Sequence, residues 1–171
     1  MFELPCISLW QPWATLVVHH PEAKPEETRP MKIPRTLLGT PVGIHAAQTK
    51  KGFDIVKGDH AVGRELAELG IVLPELPLGA LLGVVRFEEA VPTDEYLGAW
   101  NLFGDFTPGR WAWPISEVQP FSAPLTMSGS QGVFYVPASP LVPPVKYRYS
   151  LGDEAEFINP PDPNELDLGM S

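Results

Sequence analysis

Proline is the residue that most restricts how this chain can fold. The 171 residues include 21 prolines, spread along the whole length, which is more than twice the average share of about 5%. Proline breaks a helix interior, and in a sheet it is tolerated mainly at edges and bulges. We therefore expect one domain of short helices, short strands and many turns, since a chain of this length holds a single sizeable core.

The apolar segments between the prolines predict a mixed α and β fold. A short helix is expected over residues 12–20, where Pro12 suits the first helical turn, and a later helical pattern closes at Gly70. Strands are expected in five segments: FELPCISLW, PVGIHAAQ, LGALLGVVRFEEAVP, the residues after a turn at 107–109, and GSQGVFYVP. This pattern favours an α+β fold of five or six strands with two or three short helices, as a small barrel or a curved sheet.

Charge divides the chain into two parts. The formal net charge is −9, but residues 151–171 contain six acidic residues and no Lys or Arg, so residues 1–150 carry only −3. That near balance argues against gripping nucleic acid by bulk electrostatics and leaves only local contacts. We predict a domain over residues 1–137, followed by a proline-rich, acidic tail over residues 138–171 that is extended along the domain or disordered.

The few cysteine and histidine residues bear on cofactors, and the apolar pattern of the chain bears on its cellular compartment. Cys6 is the only cysteine, and the four histidines show no metal-site spacing, so we expect no disulfide, no metal and no other cofactor. The N-terminus lacks the pattern of a signal peptide, and no apolar run is long enough for a membrane span. We expect a cytoplasmic protein without a membrane partner, and the oligomeric state stays open.

The segment KPEETR, residues 24–29, is the main candidate site. Burying a cation costs several kcal/mol unless a carboxylate accompanies it, so Lys24 and Arg29 beside Glu26 and Glu27 are suited to a cluster of mutually satisfied charges. If the segment is extended, Glu27 and Arg29 share one face, and Glu26 and Thr28 share the other.

Two interpretations of this segment stay open. In the functional one, its charged side chains line a pocket whose walls are Trp10 and Trp13, with Gln11 offering an amide donor and acceptor. Such a set suits a flat heterocycle, which stacks on an aromatic face and is recognised along its hydrogen-bonding edge. In the structural interpretation, the tryptophans belong to the core and the charges form a solvated turn.

Five ordered segments of the chain resemble the ASCH family, which has a PUA-like β-barrel fold: ISLWQPWATLVV with the later K..ETR, GIHAA, GALLGVV, FGDFTPGRWAW and GSQGVFYV. The resemblance covers most of residues 5–137. The QPWA element of the family corresponds to residues 11–14, its Lys-x-x-Glu-x-Arg element to Lys24, Glu27 and Arg29, and its QG element to Gln131 and Gly132.

The resemblance implies an incomplete barrel whose cleft, beside the first helix, binds RNA or a modified base or nucleoside, with DNA open as a partner. Some relatives are amidohydrolases of an acylated cytidine, others are ribonucleases, and others are nucleic-acid-binding modules of transcription coactivators, so the family does not decide the activity. Two alternatives stay beside recognition. One is a hydrolase acting on a modified nucleoside or on RNA, and the other is a protein-interaction module that uses the proline-rich tail.

Three positions depart from the family pattern. Ala23 replaces the glycine that usually precedes the lysine, Met31 replaces an aromatic residue after the arginine, and Glu27 stands where amidohydrolase relatives have a hydroxyl residue. If the chain is an enzyme, Lys24 is the candidate nucleophile or base, and Glu27 moves a proton to the leaving group. The alternative is that the pair forms a static hydrogen-bonding clamp.

Three further residues are candidates for ligand contact. His45 in GIHAA either projects into the cleft or is a hydrogen-bonded structural residue. Arg110 lies on the strand face opposite Trp111 and Trp113, and it suits a phosphate contact if the cleft opens on that side. Gln131 is a candidate pocket residue next to a glycine that permits close approach.

Overall fold

The structure, a computed structural model, describes residues 3–96 and 100–137 together with the backbone of residues 149–150. In these ranges the helices are α1 (Trp13–His19), α2 (Lys51–Lys57) and α3 (His60–Glu68). The strands are β1 (Glu3–Leu9), β2 (Glu26–Arg29), β3 (Pro41–Ala46), β4 (Ala80–Phe87), β5 (Val91–Pro92), β6 (Trp111–Thr126), β7 (Phe134–Pro137) and β8 (Tyr149–Ser150). Short 3₁₀ turns lie at Arg35–Leu37 and Leu73–Glu75.

All of these strands belong to one mixed sheet. Its order is β2-β6-β4-β3-β1-β7, and β5 and β8 pair with β6. β1 and β3 are parallel, and the other pairs are antiparallel. An α+β fold with three short helices is therefore confirmed. Of the two forms expected, a small barrel or a curved sheet, the barrel does not close, because in the described part of the chain β2 and β7 do not pair with each other and the sheet stays open.

The sheet also has more strands than the five or six expected, because β2, β5 and β8 are short strands that were not predicted as separate elements. The sequence of β2 is EETR, which lacks the apolar or aromatic residues that mark a strand. Its pairing with β6 runs from Glu26 opposite Pro114 to Arg29 opposite Trp111. This strand therefore depends on its partner and on its buried polar contacts more than on its own pattern.

β6 is 16 residues long although it contains three prolines. Its ladder with β4 is irregular between Leu81 and Gly83 and again between Arg86 and Phe87. Pro120 lies opposite Gly83, at the first of these irregularities. A bulge is a place where a sheet tolerates a residue without an N–H donor, so the strand continues through its prolines.

Helix α1 lies between the sheet and the other two helices. Ala14, Val17 and Val18 belong to the main core, which the sheet residues fill from the other side. Leu16 instead packs with residues of α2, α3 and the 101–106 segment. The close approach of α1 to β4 requires a glycine, because a Cβ atom on Gly83 would lie 2.8 Å from Cγ1 of Val18.

The predicted helical regions are confirmed in α1 and in residues 51–68. The second region holds two helices, separated by Gly58 and by Asp59, whose carboxylate accepts hydrogen bonds from the backbone N–H groups of Ala61 and Val62. Such an N-cap begins a new helix. Gly70 follows α3 with a φ of 75°, the left-handed conformation that commonly ends a helix.

Cys6 lies in a small apolar cluster with Leu4, Leu81 and Val84. Burial raises the pKa of its thiol to about 12. Because the thiolate is the reactive form, Cys6 is a core residue rather than a nucleophile, as its apolar sequence context predicts.

Among the described residues, no helix has the length and apolar character needed to cross a membrane. The predicted acidic tail, residues 138–171, lies outside the described residues apart from the backbone of 149–150, which pairs with residues 117–118 of β6.

Candidate functional site

Two cavities open beside β2 in the described part of the chain. The first cavity, of about 530 Å³, lies among β2, α1 and the 102–105 segment, and its polar and aromatic lining includes Trp10, Trp13, Glu27, Thr28, Arg29, Asp105 and Arg110. The second cavity, of about 860 Å³, lies between β2, β3 and the residues that precede β7. Ser8, Trp10 and Arg29 line both cavities, so the two are neighbours across a shared wall.

Trp10 and Trp13 form the aromatic side of the first cavity. Trp10 is 42% exposed, which leaves ring surface for a ligand, and Lys51 Nζ lies 6.0 Å from the centroid of its ring. Trp13 is half-buried and packs against the cluster of α2 and α3. Both interpretations of the tryptophans therefore hold in part. Trp13 packs against the core, and both residues line the first cavity.

Glu26 and Thr28 of β2 both have partners in the residues that precede Arg110, in line with the predicted alternation, although Thr28 also lines the first cavity with Glu27 and Arg29. Glu26 is fully buried and accepts hydrogen bonds from Asn101 Nδ2 at 2.6 Å and from the Tyr96 hydroxyl at 3.2 Å. Thr28 Oγ1 accepts one from the backbone N–H of Asp105. Both side chains therefore fasten residues 101–105, of which 102–105 form one wall of the first cavity.

Lys24 is nearly fully buried, at 1% exposure, and lines neither cavity. Its Nζ atom donates a hydrogen bond to the Phe103 carbonyl at 3.2 Å and lies 4.0 Å from Oε1 of Glu27. The same Glu27 oxygen accepts a hydrogen bond from the backbone N–H of Thr28 at 2.8 Å. Glu27 lines the first cavity and Lys24 stands behind it, an arrangement that matches a clamp more closely than a nucleophile.

The buried Glu26 is expected to make stability depend on pH. Burial raises the pKa of this carboxyl above 4.5, and the Asn101 hydrogen bond offsets only part of the effect. A carboxyl that binds its proton more tightly in the folded state makes the free energy of unfolding fall as pH rises from the unfolded pKa through the folded pKa. Glu26→Gln cannot ionise, so its stability relative to the parent protein should increase as pH is raised above about 4.5.

Urea denaturation at a series of pH values measures this difference, with Glu68→Gln on the exposed side of α3 as the control. If the unfolding free energies of the parent protein and Glu26→Gln differ by the same amount at every pH, the raised pKa of Glu26 is contradicted.

Gln11 and Pro12 stand at the start of α1, outside the lining of both cavities. The Gln11 side chain is fully buried. Its Nε2 donates to Thr15 Oγ1 at 2.8 Å and to the Pro77 carbonyl at 2.9 Å, and its Oε1 accepts from the Thr15 N–H at 2.9 Å. The structure thus does not bring the Gln11 amide to a ligand, because the start of the helix and the 77–79 turn already engage it.

The two arginines of the candidate site differ in their partners. Arg110 lines the first cavity, where its Nε lies 3.3 Å from Oδ2 of Asp105 and its Nη2 donates to the Thr28 carbonyl. A hydrogen bond from Thr107 lowers the pKa of Asp105 and keeps it ionised beside Arg110. Arg29 has no carboxylate partner among the described residues; its Nη2 donates to the Ser8 carbonyl at 3.3 Å.

His45 and Gln131 line the second cavity and not the first. His45 is buried between two partners, with Nδ1 2.9 Å from Ser8 Oγ and Nε2 2.8 Å from the Met127 carbonyl. A carbonyl only accepts, so in a neutral imidazole Nε2 carries the proton and Nδ1 accepts from the Ser8 hydroxyl. Gln131 is exposed at the rim.

Several residues that line these cavities were not predicted from the sequence. For Ser8, the only indication in the sequence is that a polar residue interrupts an apolar strand. Asp105 is marked by the Asp-Phe-Thr-Pro turn, where its carboxylate accepts from the Thr107 backbone N–H and hydroxyl. Residues 128–130 are visible in the sequence only as a Ser-Gly-Ser loop, and pairing of β7 with β1 brings them beside His45.

No three His, Cys, Asp or Glu side chains in the described ranges lie close enough to hold a metal ion together. No protein-family model matches this chain, and a comparison with curated proteins finds no significant match.

Proposed function

We propose that this protein is an ASCH-type, PUA-like domain that recognises a nucleobase of RNA or of a modified nucleoside in the first cavity, and that it acts in the cytoplasm. The observation that carries the proposal is the composition of that cavity. Trp10 and Trp13 supply aromatic faces, while Glu27, Thr28 and Arg29 supply polar groups along one adjoining strand. A planar heterocycle needs both kinds of surface.

The size and charge of the first cavity support a base rather than a charged chain. Its volume of about 530 Å³ falls within the range of small-molecule sites, roughly 300–1,000 Å³. Its lining holds two cations, Arg29 and Arg110, and three carboxylates, Glu27, Asp59 and Asp105. A site without an excess of cations favours a neutral ring with hydrogen-bonding edges over a polyanion held by electrostatics alone.

The position of Lys24 favours recognition over hydrolysis. A nucleophile must reach the atom it attacks, whereas Nζ of Lys24 is held by Phe103 and Glu27 behind the cavity wall. Glu27 reaches the cavity with one carboxylate oxygen engaged by Thr28 and Lys24. The carboxylate is thereby oriented as an acceptor for a base N–H donor.

A thermal-shift screen of the full chain against ribonucleosides, modified nucleosides and short RNAs tests the proposal. The Trp10→Ala variant removes the exposed aromatic ring of the first cavity. It should weaken base binding by roughly tenfold, because stacking contributes about 1–3 kcal/mol per base. Trp100→Ala is the matched control, since this tryptophan is 70% exposed and lines neither cavity. Binding of a neutral nucleoside should change little between low and high salt. If no nucleoside or RNA raises the melting temperature, or if Trp10→Ala binds unchanged, the base-recognition proposal fails.

A further inference from the structure

The second cavity has an electrostatic character that differs from the first. Among its described lining residues, Arg29 is the only Lys, Arg, Asp or Glu. The remaining polar lining comes from serine, threonine, glutamine and histidine side chains and from the loop of residues 127–132. A cavity with a cation and no carboxylate favours an anionic ligand.

Arg29 is the half-buried cation of the site that lacks an ion pair. In the described residues, Lys24, Arg86 and Arg110 each have a carboxylate within 4.0 Å, and Arg29 has none. Its guanidinium lies 5.7 Å from the centroid of the Trp113 ring and donates one hydrogen bond, to Ser8. A guanidinium has five N–H donors in a fork that matches the oxygens of a phosphate, so most of its donors stay free for a ligand.

The 127–132 loop is the second feature of this cavity. Residues 128–132 all line it, and in the described ranges their backbone N–H groups donate to no backbone carbonyl. Successive backbone N–H groups in a turn are able to form an anion-binding concavity. The loop and Arg29 therefore line the same space.

The loop is held in place by β3 and packs against β1. His45 Nε2 donates a hydrogen bond to the Met127 carbonyl, and Ser8 Oγ, whose proton is donated to His45 Nδ1, lies 3.4 Å from the Ser130 carbonyl. Gly129 packs closely against His45 and Ser8, since a Cβ atom at position 129 would come within 2.4 Å of the His45 ring and 2.7 Å of Ser8 Oγ. The loop is thus held in position before any ligand binds, which lowers the entropic cost of binding.

We propose that the second cavity binds the phosphate group of a nucleotide whose base occupies the first cavity. This inference rests on the proposed function and specifies its ligand as a nucleotide or an RNA phosphodiester rather than a free nucleoside. The physical link is the shared wall, because Ser8, Trp10 and Arg29 line both cavities. Arg29 then has an anion as its partner.

Isothermal titration calorimetry on the full chain tests the phosphate site with four probes: the four common ribonucleosides, their 5′-monophosphates, their 3′-monophosphates and inorganic phosphate. For a base that the first cavity accepts, one of the monophosphates should bind about 10- to 100-fold more tightly than the nucleoside, the effect of one or two hydrogen bonds to a charged group. Inorganic phosphate alone should bind weakly, because it gains nothing from the first cavity.

Three variants assign the gain to the second cavity. Arg29→Gln and Gly129→Ala should remove the advantage of the monophosphate, and the controls Arg64→Gln and Gly63→Ala on α3 should keep it. Gly63 is suited to this comparison because a Cβ atom there meets nothing within 4 Å. Ser130→Asp covers the case in which Gly129→Ala does not fold, since Ser130 is exposed and the new carboxylate repels phosphate without a steric demand.

The outcomes separate this inference from the proposed function. If nucleosides bind and the monophosphates bind no more tightly, the phosphate site is refuted and base recognition stands. The same holds if the tighter binding of a monophosphate is retained in all three variants. If inorganic phosphate binds as tightly as the monophosphates while nucleosides do not bind, base recognition is refuted and the ligand is a free anion. If none of the probes binds, both proposals are refuted.

Discussion

Replacing Lys24 with alanine is expected to lower the free energy of unfolding by about 3–5 kcal/mol, the usual effect of removing one partner of a buried ion pair. Lys24 is 1% exposed, and its Nζ lies between the Phe103 carbonyl and Glu27. Without the ammonium group, the buried carboxylate of Glu27 loses its neighbouring cation and the Phe103 carbonyl loses its donor. Chemical denaturation of the parent protein and the variant measures the difference.

Two further variants make this prediction specific. Lys57→Ala removes an exposed lysine at the end of α2 and should change stability by no more than about 0.5 kcal/mol. Lys24→Met retains most of the side-chain volume and removes the charge together with the N–H donors. A Lys24→Met variant as stable as the parent protein would show that the ammonium group contributes nothing, and the buried clamp would be the wrong description.

Glu27→Gln is expected to weaken binding of a nucleoside or short RNA by roughly 10- to 100-fold, because a hydrogen bond to a charged group contributes about 1.5–3 kcal/mol. Glu27 is 8% exposed and its carboxylate reaches the first cavity. The glutamine keeps an oxygen that is able to accept from the Thr28 N–H, so the local backbone retains its hydrogen bond. Calorimetric titration with the best ligand of the thermal-shift screen measures the loss.

The control for Glu27 is Glu68→Gln, which removes the same charge from an exposed position at the end of α3. Unfolding free energies measured in parallel separate a binding effect from a folding effect. Destabilisation of Glu27→Gln with unchanged ligand affinity would assign this carboxylate to the structure alone, and the first cavity would lose its central acceptor.

The residues of the candidate site show where reasoning from sequence stops. Residues 24–29 are recognisable as a site because clustered charges next to tryptophans are unusual, and alternation predicts that Glu26 and Glu27 face opposite sides. Periodicity does not show which of them reaches a cavity. That depends on Tyr96 and Asn101, which engage Glu26 and leave Glu27 beside the cavity.

Gln11 shows the same limit of sequence reasoning. Its place between Trp10 and Trp13 makes it a natural candidate for hydrogen bonding to a base edge. Its amide is instead engaged by Thr15, one helical turn later, and by Pro77, which lies 66 residues away in sequence. No local pattern predicts a contact at that separation.

The amino-acid sequence by itself determined the mixed composition of the fold, the short helices and the charged segment at residues 24–29. These follow from local properties, namely proline content, hydrophobic periodicity and charge. Within the described residues, the tertiary structure alone decided that the sheet stays open, that Lys24 stands behind a cavity wall, and that Arg29 lies between two cavities without a carboxylate partner. The reason is physical: each of these depends on which distant segments meet, and the burial of a charge is settled by the neighbours that packing brings to it.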